Sequence, residues 1–221
     1  MQAARHNGEV EAMADITGSI HERYVVPRRA AILARHLAPL LPESGRVLDV
    51  GCGDGAVSQA ILRLRPDLHI EGIEVLPRGA PAIAVPAYDG KNIPFPHKSF
   101  DAVMFVDVLH HAADAAHLLR EAARVAGKCV VIKDHTADGL FAFATLRFMD
   151  RVGNARHGVA LPHNYWRRAQ WQQEFERAGL TPVIWKNSLR LYPWPASSLF
   201  DRSLHFVSRI EGVQSPPGTA P

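Results

Sequence analysis

Cysteine is scarce in this chain, with two in 221 residues, and neither sign of charge is in large excess. Cys52 and Cys129 are too few and too far apart to build a disulfide scaffold or a cysteine-ligated centre. Cys52 falls in a glycine turn and Cys129 in an apolar run, so no disulfide is expected between them and a reducing cytoplasm suits both. No metal site is read from the sequence. No apolar run approaches the roughly 20 residues that cross a bilayer. The opening MQAARHNGEVEAMAD is polar and lacks an h-region, which argues against a secretory signal. Lysine plus arginine number 25 against 22 acids, a formal charge of +3. Arg28-Arg29 and Arg167-Arg168 read as solvated helix faces. Without a basic stripe interleaved with aromatics, nucleic acid is not an expected partner. There are no internal repeats.

What is present is an ordinary globular composition, 47% hydrophobic and 21% charged, long enough for one α/β domain. Pro27 to Leu41 begins on proline and is rich in Arg, Ala and Leu, the pattern of a helix stopped by Pro42. Strands are expected over Gly45–Val50, Leu68–Val75, a short Ala82–Ala87, Phe100–Val106 and Lys128–Lys133. The run DAVMFV is apolar throughout, as in a strand buried on both faces. Helices are expected over Ala56–Leu64, Ala115–Val125, Gly139–Val152 and Tyr165–Ala178, the last closed by Gly179. Thr181–Trp185 and Leu204–Ile210 are late strand candidates. The alternation predicts a Rossmann-like, doubly wound, mostly parallel α/β sheet in a single domain, with a helical insert after the fifth strand. Its span is read as 27–210, with the insert at about 137–165. Residues 1–26 are a candidate cap, and 211–221, rich in Pro, Gly and Ser, a disordered tail.

Ligands of such sheets lie at the carboxyl ends of the strands. Asp49, Glu74, Asp89 and Asp107 each fall at or just past one, so four acids are expected around one cleft. The segment VLDVGCGDG, Val47 to Gly55, carries a strand into a glycine turn that opens a helix. Glycines there let the backbone turn sharply and approach a ligand that a Cβ would hold off. Glu74 can accept from both hydroxyls of a ribose, or it is a solvated strand-end acid. Asp89 can accept from an adenine amino group, or it forms an ordinary Asp-Gly turn.

These residues resemble the class I S-adenosylmethionine-dependent methyltransferases, particularly their small-molecule branch. The likeness is close over Val47–Asp114 and loose beyond. VLDVGCGDG is similar to the family's first motif, Glu74 stands at its ribose acid, and DGKNIPFPHKSFDAVMFVDVLHH (Asp89–His111) is similar to its adenine-side and fourth-strand motifs. The resemblance implies S-adenosylmethionine held by Asp49, Gly51, Cys52, Gly53, Glu74, Val75, Asp89, Gly90, Asp107 and Val108. A carboxylate at Asp49 suits a sulfonium and an ammonium and would repel a diphosphate. One departure stands out. Only Leu76–Pro81 separates Glu74's strand from the next, so the usual helix there is missing or a single turn.

A base is needed only for a hydroxyl, thiol, acidic carbon or protonated amine acceptor, and His110, His111 and His135 are the candidates. Phe141, Phe143, Leu146, Phe148 and Met149 have helical spacing, as a core helix or as an apolar lid over the acceptor. Val152-Gly153-Asn154 reads as a hinge or tight turn. His163-Asn164-Tyr165 groups polar side chains before a helix, as acceptor contacts or with Asn164 as an N-cap. The expected partner is a small acceptor, hydrophobic, lipid-like or carrier-bound. An NAD-dependent oxidoreductase and a non-catalytic S-adenosylmethionine-binding protein remain the alternatives. The oligomeric state is not readable.

Overall fold

The computed structural model describes residues 26–77, 81–154, 164–201 and 203–212. The elements in chain order are α1 (Val26–Leu37), β1 (Gly45–Val50), α2 (Ala56–Leu64), β2 (Leu68–Ile73), β3 (Phe100–Val106), α3 (Ala115–Val125), β4 (Ala126–His135), α4 (Ala142–Asn154), α5 (Arg168–Arg177), β5 (Leu180–Lys186), α6 (Ala196–Phe200) and β6 (His205–Gly212). Single 3-10 turns follow α1 at Ala38–Leu40 and β3 at Leu109–His111. The strands form one sheet in the order β2-β1-β3-β4-β6-β5. The pairings β1–β2, β1–β3 and β3–β4 are parallel; β6 runs antiparallel to both β4 and β5.

Period-two alternation along the strands divides the core between the two faces of the sheet. Leu48 and Val50, Val103 and Phe105, Val130 and Ile132 join Leu118, Leu119 and Ala122 of α3 and Trp171 and Phe175 of α5. Val47, Ala102 and Met104, Cys129 and Val131 join Leu33, Ala34 and Leu37 of α1 and Ile61 of α2. The middle of β1, β3 and β4 is therefore apolar on both faces, since helices cover both sides, and polar residues gather toward the strand ends.

Most expected elements are found within two or three residues of their expected ends. The strand expected over Ala82–Ala87 is not one. The segment makes a single parallel bridge, Glu74 to Ala87, supplemented by Gly72 N–H to Ala84 C=O (3.1 Å) and Glu74 N–H to Pro86 C=O (3.2 Å). Pro81 and Pro86 have no N–H to give a ladder, which is why it stays irregular. The short α6 was not expected from the sequence. Strand β4 continues two residues further than expected, to His135. Helix α4 buries Ala142 and Leu146 but leaves Phe143 and Phe148 exposed, as is Phe141 just before it. Only part of the apolar insert is therefore core. The N-terminal segment to residue 25, the segment 155–163 and the tail from 213 lie outside the described residues, His163 with them.

Candidate active site

The glycine turn is built by backbone geometry first. Gly51, Gly53 and Gly55 have φ of +72°, +60° and +76°, a region that costs any L side chain about 1–2 kcal/mol. A Cβ on Gly51 would lie 2.7 Å from Val108 Cγ2, so the loop after β3 presses directly on the turn after β1. A Cβ on Gly53 would meet nothing within 4 Å among the described residues, which leave that face of the loop open. Gly51→Ala is expected to destabilise the fold by about 2 kcal/mol or more, from backbone strain plus the Val108 clash. An unchanged urea midpoint would show that the loop yields instead.

Around this turn lie Asp49, Cys52, Glu74, Val75, Tyr88, Asp89 and Gly90. Asp49 is buried, and its Oδ2 accepts from Ser58 Oγ at 2.5 Å while its Oδ1 has no hydrogen-bond partner among the described residues. Burial pushes its carboxyl up to about 7; Ser58 opposes the shift and the nearby Glu74 adds to it. Glu74 accepts from Gly53 N–H through Oε2 and from Val75 N–H through Oε1, both at 2.8 Å. It ties the end of β2 to the glycine turn. Each oxygen keeps a second lone-pair direction for a further donor. Cys52 packs on Gly72, and burial raises its thiol, so it is a packing residue at neutral pH. Val75 and Gly90 meet, a Cβ on the latter falling 3.0 Å from Val75 Cγ2. Asp89 is exposed, and its carboxylate accepts from Lys91 N–H and Asn92 N–H at 2.8 Å and from Asn92 Nδ2 at 3.1 Å. These bonds hold it below the usual carboxylate range. The turn-forming reading of Asp89 is thus realised, with lone pairs left over for a ligand.

A second, more buried group lies past β3 and β4. Asp107, expected beside the cofactor, is here. It sits at φ +59° with its carboxylate bonded to Lys133 Nζ and to Arg29 Nη2, the latter at 2.7 Å. Burial alone would raise Asp107, but Lys133 and Arg29 outweigh it and hold the carboxyl well below its usual range. Val108, on the next residue, remains against the glycine turn. Lys133 is fully buried and also lies 3.3 Å from His205 Nδ1. Asp134 accepts from Leu109 N–H (3.1 Å) and His135 N–H (2.8 Å), and its Oδ1 is 2.6 Å from His110 Nδ1. His110 Nε2 lies 3.6 Å from Asp150 Oδ1, and Tyr165 donates its hydroxyl to Asp150 Oδ2.

The three candidate histidines therefore differ sharply. Burial would lower His110, yet Asp134 and Asp150 overcome it and push the ring up to about 10. The imidazolium form that these carboxylates favour has no lone pair with which to take a proton. Burial, with Lys133 and His110 adding, pulls His135 down to about 4. His111 is lowered by burial and by its neighbour His110, and its Nδ1 is buried with no hydrogen-bond partner among the described residues. His111 stays neutral and half-buried. Asn164 is not a helix cap: its N–H donates to His110 C=O (3.2 Å) and its Nδ2 to Ala112 C=O (2.9 Å), fastening the chain after the insert to the 3-10 turn. Tyr165 brings its ring 5.8 Å from His110 and 5.4 Å from Phe143.

A family profile described as a methyltransferase domain matches residues 21–184. The chain belongs to the methyltransferase-domain family. It is 33% identical to 27-O-demethylrifamycin SV methyltransferase of Amycolatopsis mediterranei, over 42% of this chain and 39% of that protein. It is 36% identical to the fatty-acid O-methyltransferase of Mycolicibacterium smegmatis, over 38% of this chain and 34% of that protein. The chain thus spans little more than a third of these relatives' lengths. The fold is shared with the methyltransferase in a Haloferax volcanii complex with its Trm112 activator, with a TM-score of 0.66 at 17% identity, covering 90% of this chain and 93% of that one.

In this methyltransferase domain the glycine turn and Glu74 are brought together as the sequence implied. Lys133, Asp150, His205 and Arg29 were not among the expected site residues, whereas Tyr165 was expected only as one of the polar groups before a helix. For Lys133 a signal existed: Lys133-Asp134-His135 is a polar ending on an otherwise apolar strand, and buried charge at a strand tip is seldom there for packing. Asp150 carried none, because an acid in the middle of an amphipathic helix normally faces water.

Proposed function

We propose that this chain binds S-adenosylmethionine on the open side of the glycine turn and methylates a small, hydrophobic acceptor lodged against the second group. The observation that carries the reading is the orphaned Oδ1 of buried Asp49 beside a glycine turn whose middle residue faces open space. A buried carboxylate oxygen with no partner is costly, and a cationic or hydrogen-bond-donating ligand relieves it. A diphosphate does not, since Asp49 and Glu74 would both repel it. Within this reading Glu74 accepts from the ribose, Asp89 and the Gly90 backbone flank the adenine, and Asp49 and Gly53 face the methionyl end. When bound, the cofactor supplies an activated methyl group for in-line displacement by a nucleophilic atom of the acceptor. The protein's part is to position the acceptor and exclude water. Phe143, whose ring lies 5.4 Å from Tyr165, and Phe148 are exposed on α4, with exposed Phe141 just before it, and offer an apolar acceptor a surface.

Calorimetric titration with S-adenosylmethionine, S-adenosylhomocysteine and NAD tests the reading: the first two should bind and NAD should not. Tight NAD binding without affinity for the other two would overturn it. Transfer of labelled methyl to a panel of hydroxylated, carboxylated and aminated apolar compounds then identifies the acceptor.

A pH dependence follows from Asp49. Its raised carboxyl, near 7, is largely protonated at pH 6, whereas a cationic ligand favours the ionised form. Binding should therefore release a proton, and cofactor affinity should rise with pH. The expected gain from pH 6 to 7.5 is about eightfold. Fold stability has the opposite sign. A carboxyl raised in the folded state binds its proton more tightly there, so stability falls as pH climbs from about 4 to 7. Asp49→Asn should flatten both profiles, and an affinity already flat in the unaltered protein would detach Asp49 from the cofactor's charge.

A further inference from the structure

We propose that His110, His111 and Asp150 form a site for a first-row divalent metal ion of the zinc type. One ligand atom from each lies within 4.8 Å of the other two. His110 Nε2 and Asp150 Oδ1 are 3.6 Å apart, too long for a sound hydrogen bond. It is close to the edge of a tetrahedron with bonds of about 2.0–2.1 Å, roughly 3.3–3.4 Å. Two of the three ligands, His110 and Asp150, already have the outer partner that metal ligands characteristically carry. Asp134 takes the Nδ1 side of His110 at 2.6 Å and is itself fixed by two backbone N–H groups. Tyr165 holds the other oxygen of Asp150. A carboxylate behind a histidine sets the ring's orientation and raises its basicity toward a metal. His111 adds a buried Nδ1 with no hydrogen-bond partner.

A second trio, His110, Asp134 and His135, also lies within 4.8 Å, but all three members are buried and it would spend the His110–Asp134 bond. The first trio keeps that bond and includes the half-buried His111, which leaves one side for entry. Two histidines and one carboxylate suit zinc, iron, cobalt or manganese rather than calcium or magnesium. Three protein ligands also leave a coordination position open.

Resting on the methyltransferase reading for its occupant, the open position suits an acceptor that presents a hydroxyl, phenol or carboxylate oxygen, the donor type such an ion takes beside imidazole and carboxylate.

The test uses the full chain, stripped with chelator and titrated with zinc ion by calorimetry and with cobalt ion by visible absorption. One ion per chain is expected, with release of about one proton on binding and a cobalt band of tetrahedral or five-coordinate intensity. His111→Ala and Asp150→Asn should each weaken binding at least tenfold. His69→Ala, at an exposed histidine far from the trio, should not. No stoichiometric uptake, equal uptake by His111→Ala and Asp150→Asn, or equal loss in His69→Ala would each overturn the site. Should Asp150→Asn fail to fold by circular dichroism, His111→Ala and His111→Gln decide. S-adenosylmethionine titrated into the same stripped protein separates the two readings. Cofactor binding without ion uptake removes only the metal, and ion uptake without cofactor binding removes only the cofactor assignment.

Discussion

Lys133→Met is expected to lower the unfolding free energy by about 3–5 kcal/mol, the usual cost of removing one partner from a buried ion pair. Lys133 is 0% exposed and its ammonium bonds Asp107, whose side chain is 17% exposed. Burial pulls Lys133 down while Asp107 holds it charged. Methionine fills the same volume, so the loss is electrostatic rather than a cavity. It would leave Asp107 with Arg29 alone and strip the donor from His205 Nδ1. Arg29→Met supplies the contrast. Its side chain is 44% exposed, so the Arg29–Asp107 bridge is screened and should contribute about 1 kcal/mol or less. Urea unfolding of both variants, and of Lys133→Met combined with Asp107→Leu, separates the terms. The double variant should recover much of the loss, because no uncompensated charge remains. A Lys133→Met protein as stable as the parent would mean that the pair is not closed in solution.

The second large effect concerns Glu74. Glu74→Ala should weaken S-adenosylmethionine binding by on the order of 2–4 kcal/mol, about 30- to 1000-fold. Two losses combine. The carboxylate accepts the Gly53 and Val75 amides, so its removal frees the glycine turn from the end of β2. It also takes away the acceptor proposed for the ribose. Glu74→Gln retains one oxygen for one amide and should fall between. Calorimetry on the three proteins measures this directly. Equal affinities would place the ribose elsewhere.

Much of the molecule could be read along the chain. Gly45–Val50, Ala56–Leu64, Phe100–Val106 and Ala115–Val125 fall where hydrophobic period and flanking turn residues put them. These signals are local and strong, since strands covered on both faces must be apolar at each position and helices must show one apolar stripe. The glycine turn was legible for the same reason, because residues needing positive φ are nearly confined to glycine. Reading failed where two local tendencies competed. Ala82–Ala87 alternates like a strand, yet its prolines cannot complete a ladder. Asn164 precedes a helix like a cap, yet it spends its amide on the carbonyls of His110 and Ala112.

The acceptor-side group belongs to a different order of information. Arg29, Asp107 with His110, Lys133, Asp150, Tyr165 and His205 come from six separate stretches, and no spacing between those stretches marks a site. What joins them is the sheet: parallel strands β3 and β4 end side by side, β6 returns against β4, and α4 lies across the tips. Chain periodicity is set by which face of an element meets water, a nearest-neighbour property. Whether His110 carries a proton, and whether Asp150 faces it, depends on charges brought within a few ångströms by distant segments, and Coulomb energy in a dry interior grows only after packing has excluded solvent.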